Sequence, residues 1–436
     1  MKPTICQIEP NRQAVQVRQF EEMTIPWVQL GDSVLLLPTN AQQDTLLAYA
    51  ERGGFHTTIY PRDVRAKDLH LVIQEGRLFQ QRYPQTRIVV DKGRYLVVEL
   101  PAKQARQIKA DRIPGFVIQP LASNKVIFEL RPEPITRAAP LHWVQDLVDR
   151  VIDTNFETTL NHLTSHLTRY STTSYYLVAV AWCQQQLDAM GYSTHTENVS
   201  IGDDATVNLI AEKVAASTGT SQLVLLVAHL DSINRNGGPN AQAPGADDNG
   251  SGSAALLEIA RILKDHTFLH DLRLIFLGGE EQGLCGSTHY VSRLSVDDRQ
   301  RIRAVINMDM IGALNTSPPT VLLEGAPISQ RVINTLAEIA ETYTVLRVQT
   351  SLYPYASDHV PFIEANLPAV LTIEGAESAN QHVHTENDTL ETIQATLALE
   401  IARMNLAFAA LELNPVAESH TNQWFEPMLN IMMKSG

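Results

Sequence analysis

The sequence predicts an α/β protein with a mixed, mostly parallel central sheet flanked by helices, together with a smaller N-terminal α+β domain. Short apolar runs such as 223–228 and 272–277 alternate with stretches of helical periodicity such as 253–264. This alternation is typical of a sheet that carries helices on its faces. A chain of 436 residues with 44% hydrophobic residues is long and apolar enough for two domains.

Residues 1–138 are predicted to form the smaller N-terminal α+β domain. Its predicted strands are 33–38, 87–90 and 95–100, and its predicted helices are 44–52 and 102–110. A short turn at 91–93 joins the last two strands. The sequence of this domain contains no metal-ligand cluster, nucleophile constellation or phosphate loop, so we expect an accessory or propeptide-like module.

The larger domain is predicted to span 139–413, after the proline-containing segment 131–140. Its predicted strands are 206–211, 223–228, 272–277, 303–307, 346–350 and 368–373, and its main predicted helices are 253–264, 328–341 and about 389–412. Residues 414–436 are predicted to be an amphipathic tail that docks on a surface or a partner.

The charge balance disfavours some classes of partner. There are 34 Lys and Arg residues against 48 Asp and Glu residues, a net charge of −14, which argues against nucleic acid and anionic membranes. No apolar run of about 18 residues predicts a membrane span. The lack of an apolar signal segment near Met1, together with only three cysteines, slightly favours the cytoplasm over a secreted or periplasmic location.

Metal-ligand residue types follow predicted strands or occupy a glycine-rich loop at five places. They are His229 and Asp231 after 223–228, Asp247 in the loop 243–252, Glu280 and Glu281 after 272–277, Asp309 after 303–307, and His384 after 368–373. Taken alone, the His-x-Asp motif is more typical of a capped turn, the Asp-Asp-Asn loop of a helix cap, and the Glu-Glu pair of a solvated charge pair. Since strand ends of an α/β sheet meet at one edge, the whole set predicts one site. Imidazoles and carboxylates suit a pair of zinc ions, and one carboxylate can bridge two ions.

The same ordered motifs resemble the zinc aminopeptidases of the bacterial leucyl aminopeptidase family, peptidase family M28. The likeness is carried by His229-x-Asp231, the loop 245–252, Glu280-Glu281, Asp309 and His384-Thr385-x-x-Asp388-Thr389, with Ser357-Asp358-His359 and 167–172 in support. It covers about residues 141–412. The resemblance implies the zinc exopeptidase fold, two Zn²⁺ ions per chain with Co²⁺ or Mn²⁺ as possible substitutes, and peptide substrates with a free N-terminus.

The resemblance also implies a role for each ligand. Asp247 would bridge the two zinc ions. Glu281 and His384 would complete the coordination of one ion, and His229 and Asp309 would complete that of the other.

Further roles implied for neighbouring residues concern proton transfer and substrate binding. Glu280 would be the general base and acid, and Asp231 would hold His229 in one tautomer. Asp248 is expected either to contact a substrate amine or to cap the following helix. The candidates for lining a pocket for an apolar, leucine-like first side chain are Met310, Tyr353, Tyr355, Asp358 and Val383.

Two other functions remain open at this point. A glutaminyl-cyclase-like acyltransferase shares the fold but works with one zinc ion and fewer ligands. A non-catalytic binding module would usually have lost ligands or the base, whereas all are present here. Secreted relatives often carry a disulfide just before Ser357, whereas 352–356 contains no cysteine, which leaves the side-chain preference open.

Overall fold

The computed structural model describes residues 5–9, 18–60, 64–111, 115–216 and 221–416. In this part of the chain, thirteen strands form one large mixed sheet and four form a second, antiparallel sheet. The predicted fold class, a mixed sheet flanked by helices, is confirmed. Most of the predicted C-terminal tail, from 417 onward, lies outside the described residues.

The bounds of the elements agree with most of the predicted ones. The strands are β1 (Cys6–Glu9), β2 (Trp27–Leu30), β3 (Ser33–Leu36), β4 (His56–Ile59), β5 (Leu69–Gln74), β6 (Arg87–Lys92), β7 (Tyr95–Glu99), β8 (Phe116–Pro120), β9 (Lys125–Leu130), β10 (Ser193–Ile201), β11 (Asp204–Lys213), β12 (Leu223–His229), β13 (Asp271–Leu277), β14 (Ile302–Met308), β15 (Thr320–Glu324), β16 (Arg347–Ser351) and β17 (Ala369–Glu374). The helices are α1 (Arg18–Glu22), α2 (Asn40–Arg52), α3 (Leu78–Arg82), α4 (Ala102–Ala110), α5 (His142–Val148), α6 (Asp153–Thr164), α7 (Ser174–Ala189), α8 (Gly252–Leu263), α9 (Cys285–Arg293), α10 (Val296–Arg301), α11 (Gln330–Tyr343), α12 (His359–Glu364) and α13 (Ala395–Leu413). The closing helix begins at Ala395 rather than near 389, because a short 3₁₀ turn occupies 390–392.

The centre of the large sheet positions the polar residues. The strand order is β10-β11-β13-β12-β14-β17-β15-β16-β9-β2-β3-β1-β4, and β13, β12, β14 and β17 are parallel neighbours. Strand β12 is buried along its whole length. The carboxyl ends of these four strands therefore meet at one edge, which is where open α/β sheets keep their sites.

Both faces of this central sheet are covered, which explains the unbroken apolar runs of its strands. Along β12, Leu226 packs into the core beneath α5–α8, α11 and α13, and its neighbour Leu225 packs into the core beneath α9 and α12. Successive side chains of a strand point to opposite faces, so a strand covered on both faces needs apolar residues at every position.

The N-terminal region contributes strands to the same large sheet. Strand β9 lies antiparallel to β16, with Phe128 opposite Ser351, and β2, β3, β1 and β4 continue from it. Strands β5–β8 form the second sheet. The predicted boundary near 138 falls in an irregular, largely exposed segment between β9 and α5. Among the described residues, no helix has the length and apolar character needed to cross a bilayer.

Candidate metal centre

The candidate ligands meet at the carboxyl edge of the central strands. His229 is the last residue of β12, Asp309 follows β14, and Glu281 lies four residues beyond β13. His384 lies in the loop after β17, and Asp248 lies in the loop that leads into α8. The structure thus brings together side chains from five separate places in the chain.

Their donor atoms form two groups with one shared member. Nε2 of His229 lies 3.1 Å from Oδ1 of Asp248 and 3.2 Å from Oδ1 of Asp309. Nε2 of His384 lies 2.8 Å from Oδ2 of Asp248 and 3.1 Å from Oε2 of Glu281. Within each group the ligand atoms all lie within 4.8 Å of one another. Asp248 therefore presents one oxygen to each imidazole, the arrangement that a bridging carboxylate needs.

The structure corrects the assignment of the bridging residue to Asp247. The Oδ1 atom of Asp247 accepts a hydrogen bond from the Gly312 N–H at 2.8 Å, and its Oδ2 accepts one from Nδ2 of Asn380 at 2.8 Å. Asp247 belongs to neither donor group found among the described residues. The side chains of the two adjacent aspartates point to different partners, and Asp248 takes the position expected for Asp247.

The shape of the loop explains which aspartate faces the histidines. Gly245 has a φ of +56°, and a Cβ there would lie 2.4 Å from Cβ of Ser232 and 2.5 Å from the carbonyl oxygen of Asp248. Only glycine fits this close turn. The buried Asp388 carboxylate accepts the N–H of Asp247 at 2.9 Å and that of Asp248 at 3.0 Å, which fixes the backbone of both.

A second buried side chain ties this loop to the end of β12. The guanidinium of Arg169 is fully buried and donates to the carbonyl oxygens of Leu230 at 2.7 Å, of Gly245 at 2.8 Å, and of Pro244. Arg169 thereby holds the segments of His229 and Asp248 together. The sequence motif contained Arg169, but its role depends on backbone carbonyls that no local pattern reveals.

Asp231 links the first histidine to the Glu280–Glu281 turn. Its carboxylate accepts the N–H of Glu280 at 3.3 Å and the N–H of Glu281 at 3.2 Å. The same carboxylate lies 3.5 Å from Nδ1 of His229, and the Asp231 carbonyl oxygen lies 3.2 Å from that nitrogen. These contacts are compatible with the orienting role predicted for Asp231, which stays a prediction.

Buried carboxyl groups outnumber imidazoles at this site. Burial raises the pKa of Glu280 well above its ordinary value and raises that of Glu281 to about 7. Burial alone would lower the pKa of His384, but Glu281 and Asp248 raise it to about 10. Buried charge must be paired or bound to metal, so the excess of carboxylates favours a cation.

Ser357 belongs to the Ser357-Asp358-His359 motif but has no predicted role of its own there. Its hydroxyl donates to Oδ2 of Asp309 and accepts a hydrogen bond from Nδ2 of Asn307 at 2.7 Å. All three side chains are buried. The relay orients the carboxylate of Asp309 toward His229.

The five predicted pocket residues lie in segments that adjoin the ligands. Met310 follows Asp309 directly, and Tyr353 and Tyr355 pack with it against one apolar cluster. Asp358 is fully buried, and burial raises its pKa to about 7. Val383 precedes His384 and is half-buried. Their role in binding a substrate side chain stays a prediction.

Residues 208–409 match the model of peptidase family M28, and this span contains both donor groups. The part of the chain that carries the predicted motifs is therefore similar to peptidase family M28, as those motifs predict. Two relatives and one solved structure show how far the likeness extends.

A protein named probable leucine aminopeptidase from Arthroderma benhamiae is 33% identical over 204 residues, 45% of this chain and 55% of that protein. Aminopeptidase YwaD of Bacillus subtilis is 31% identical over 189 residues, 43% of this chain and 40% of that protein. The chain thus spans about half the length of these relatives. The LapA aminopeptidase of Legionella pneumophila shares the fold, with a TM-score of 0.57 and 22% identity over 80% of this chain and 99% of that one.

Proposed function

We propose that this chain is a zinc-dependent aminopeptidase that removes N-terminal residues, preferably apolar and leucine-like ones, from peptides. The observation that carries the proposal is the pair of donor groups that share Asp248 inside the span similar to peptidase family M28. Relatives that are named aminopeptidases support the reaction class.

The residues present fit a two-zinc centre. His229 and Asp309 would hold one ion, Glu281 and His384 the other, and Asp248 both. Imidazole nitrogen with carboxylate oxygen is a donor set that suits zinc, with Co²⁺ or Mn²⁺ as possible substitutes. The buried Oε1 of Glu281 has no hydrogen-bond partner among the described residues, which leaves it available as a ligand.

The zinc ions would supply Lewis acidity, polarising the scissile carbonyl and lowering the pKa of a water molecule. Glu280 belongs to neither donor group, and burial raises its pKa, which favours uptake of a proton by this carboxyl. Glu280 would accept the proton of the attacking water and pass it to the leaving amine. Asp231 would keep Glu280 in place through the backbone N–H of that residue.

Hydrolysis of leucine-p-nitroanilide tests the proposal, with N-acetyl-leucine-p-nitroanilide as the matched substrate that lacks a free amine. We expect turnover of the free amine alone, loss of turnover with a chelator, and recovery with zinc. Turnover of the acetylated compound at the same rate would rule out an aminopeptidase. Cyclisation of an N-terminal glutamine without hydrolysis would support the acyltransferase alternative, and zinc binding without turnover would support the binding module.

A further inference from the structure

We propose that the N-terminal region is a permanent part of the catalytic unit, not a removable inhibitor, and that its Arg94 is a positioning residue for the loop 352–358. The effect on turnover rests on the proposed function. The physical association of the two parts does not, so the two claims can be tested separately.

The two parts share a sheet and a hydrophobic core. Strand β9 is paired on one side with β16 and on the other with β2. In the core, Leu71 and Val97 of the second sheet belong to the same buried cluster as Leu322 of β15 and Leu371 of β17. Removing the N-terminal region would expose this apolar surface and one edge of β16 to water, which is unfavourable.

Arg94 forms a buried ion pair across the junction. Its Nε lies 2.8 Å from Oε2 of Glu324, and its Nη2 lies 2.9 Å from Oε1 of the same residue, a bidentate pair. Nη1 lies 3.4 Å from Oε1 of Glu377, and the hydroxyl of Tyr95 donates to Glu324 at 2.6 Å. All four side chains are buried, so losing the cation would leave carboxylates without their partner.

The close fit of the β6–β7 turn supports this interpretation. Gly93 has a φ of +69°, and a Cβ at Gly93 would lie 2.0 Å from Oγ of Ser378. The turn that carries Arg94 is therefore pressed directly against the segment that contains Glu377. Such a contact is typical of the interior of one folded unit, since transient interfaces are more polar and less closely packed.

The same ion pair holds the loop that adjoins the metal centre. Arg94 donates to the carbonyl oxygen of Tyr355, and Oε1 of Glu324 accepts the N–H of Tyr355 at 3.0 Å. Both backbone groups of Tyr355 are thus fixed. Two residues later, Ser357 donates to Asp309. Arg94 is therefore connected through one short loop to the predicted pocket and to a candidate ligand.

A second ion pair joins the two parts near His384. Oε2 of Glu75 lies 2.6 Å from Nη2 of Arg235. The N–H of Arg235 donates to the carbonyl oxygen of His384 at 3.0 Å. The N-terminal region therefore contacts the segments of two candidate ligands, Asp309 and His384, through separate routes.

Cleavage of the intact protein tests the permanence of the association. Ile135 is fully exposed in the segment 131–140, so a specific protease site placed there can be cut in the folded full-length chain. We expect both fragments to co-elute in size-exclusion chromatography, also in 1 M NaCl, with turnover within twofold of the uncut protein. Release of the N-terminal fragment, or a rise in turnover of tenfold or more on cleavage, would overturn the proposal.

Variants of Arg94 test the positioning role. We expect Arg94→Met to raise KM for leucine-p-nitroanilide at least tenfold with unchanged zinc content, and Arg94→Lys to recover part of that loss. Arg77→Ala is the matched control, because Arg77, just before α3, forms an exposed ion pair with Asp91 of β6, with Nη2 and Oδ2 2.8 Å apart. A folded Arg94→Met protein with wild-type KM would overturn the positioning role. If Arg94→Met does not fold, the same comparison is made with Arg94→Lys, for which an unchanged KM would likewise contradict it.

Discussion

Replacing each of the two adjacent aspartates by asparagine separates the bridging residue from its neighbour. Asp248→Asn removes a charge and turns one of two oxygens into an amide donor, so one of the two donor groups loses its shared ligand. Asp247→Asn keeps an oxygen that can accept the Gly312 N–H and loses the hydrogen bond that Oδ2 accepts from Asn380. The two variants differ by one position in the chain and have the same chemical change.

The size of the two effects follows from these contacts. Altering a residue that merely supports a metal ligand costs about 10- to 100-fold in affinity or activity. Altering a ligand shared by two ions should reduce activity further. We therefore expect kcat/KM of Asp248→Asn to fall by over ~100-fold, which corresponds to a loss of at least about 2.7 kcal/mol of transition-state stabilisation. For Asp247→Asn we expect a loss of about 1 kcal/mol in the free energy of unfolding, the value of one hydrogen bond.

Zinc content by mass spectrometry, measured on both purified variants beside the wild type, provides a readout independent of turnover. We expect two ions per chain in the wild type and in Asp247→Asn, and one or none in Asp248→Asn. Denaturation curves would show that both variants are folded. Two ions in Asp248→Asn with fewer in Asp247→Asn would refute the reasoning from the structure.

Three further changes test other parts of the site and its support. Glu280→Gln should keep the wild-type zinc content and lose about 10²- to 10⁴-fold in kcat, as expected for a lost general base, and unchanged kcat would contradict that role. Arg169→Met removes the donor of the buried carbonyl groups of Leu163, Leu230 and Pro244, at about 1–3 kcal/mol for each unsatisfied group. Its urea midpoint should therefore fall steeply, and a wild-type midpoint would argue against this support of the loop. Burial raises the pKa of Glu324, but Arg94 and His359 lower it to about 2, below its ordinary value of 4.5. The ionised Glu324 therefore stabilises the fold fully above pH 4.5, and this stabilisation is lost as the pH falls toward 2. Glu324→Gln should flatten the dependence of the unfolding free energy on pH between these two values.

The central strands could be predicted because both faces of the sheet are covered. Their sequences are unbroken apolar runs, and β12 and β13 have nearly the predicted bounds. Strand β15 was not predicted, since five residues between turns give a weak periodic signal. The helix α4 has the predicted bounds, 102–110.

The sequence predicts the segments and residue types of the ligand set, but not which of two adjacent aspartates is the shared ligand. Which member of the Asp247–Asp248 pair faces the histidines depends on backbone geometry set by Gly245 and by Asp388, 140 residues farther along the chain than Asp248. The Arg94–Glu324 pair joins residues 230 positions apart. No local pattern can reveal such contacts, because they exist only once the sheet has formed.

Anomalous diffraction at the zinc absorption edge, from crystals of the zinc-loaded protein, tests the two-metal centre most directly. We expect two peaks about 3.5–4 Å apart, one beside His229 and Asp309 and the other beside Glu281 and His384, with Asp248 between them. A single peak, or two peaks with Asp247 between them, would contradict the account.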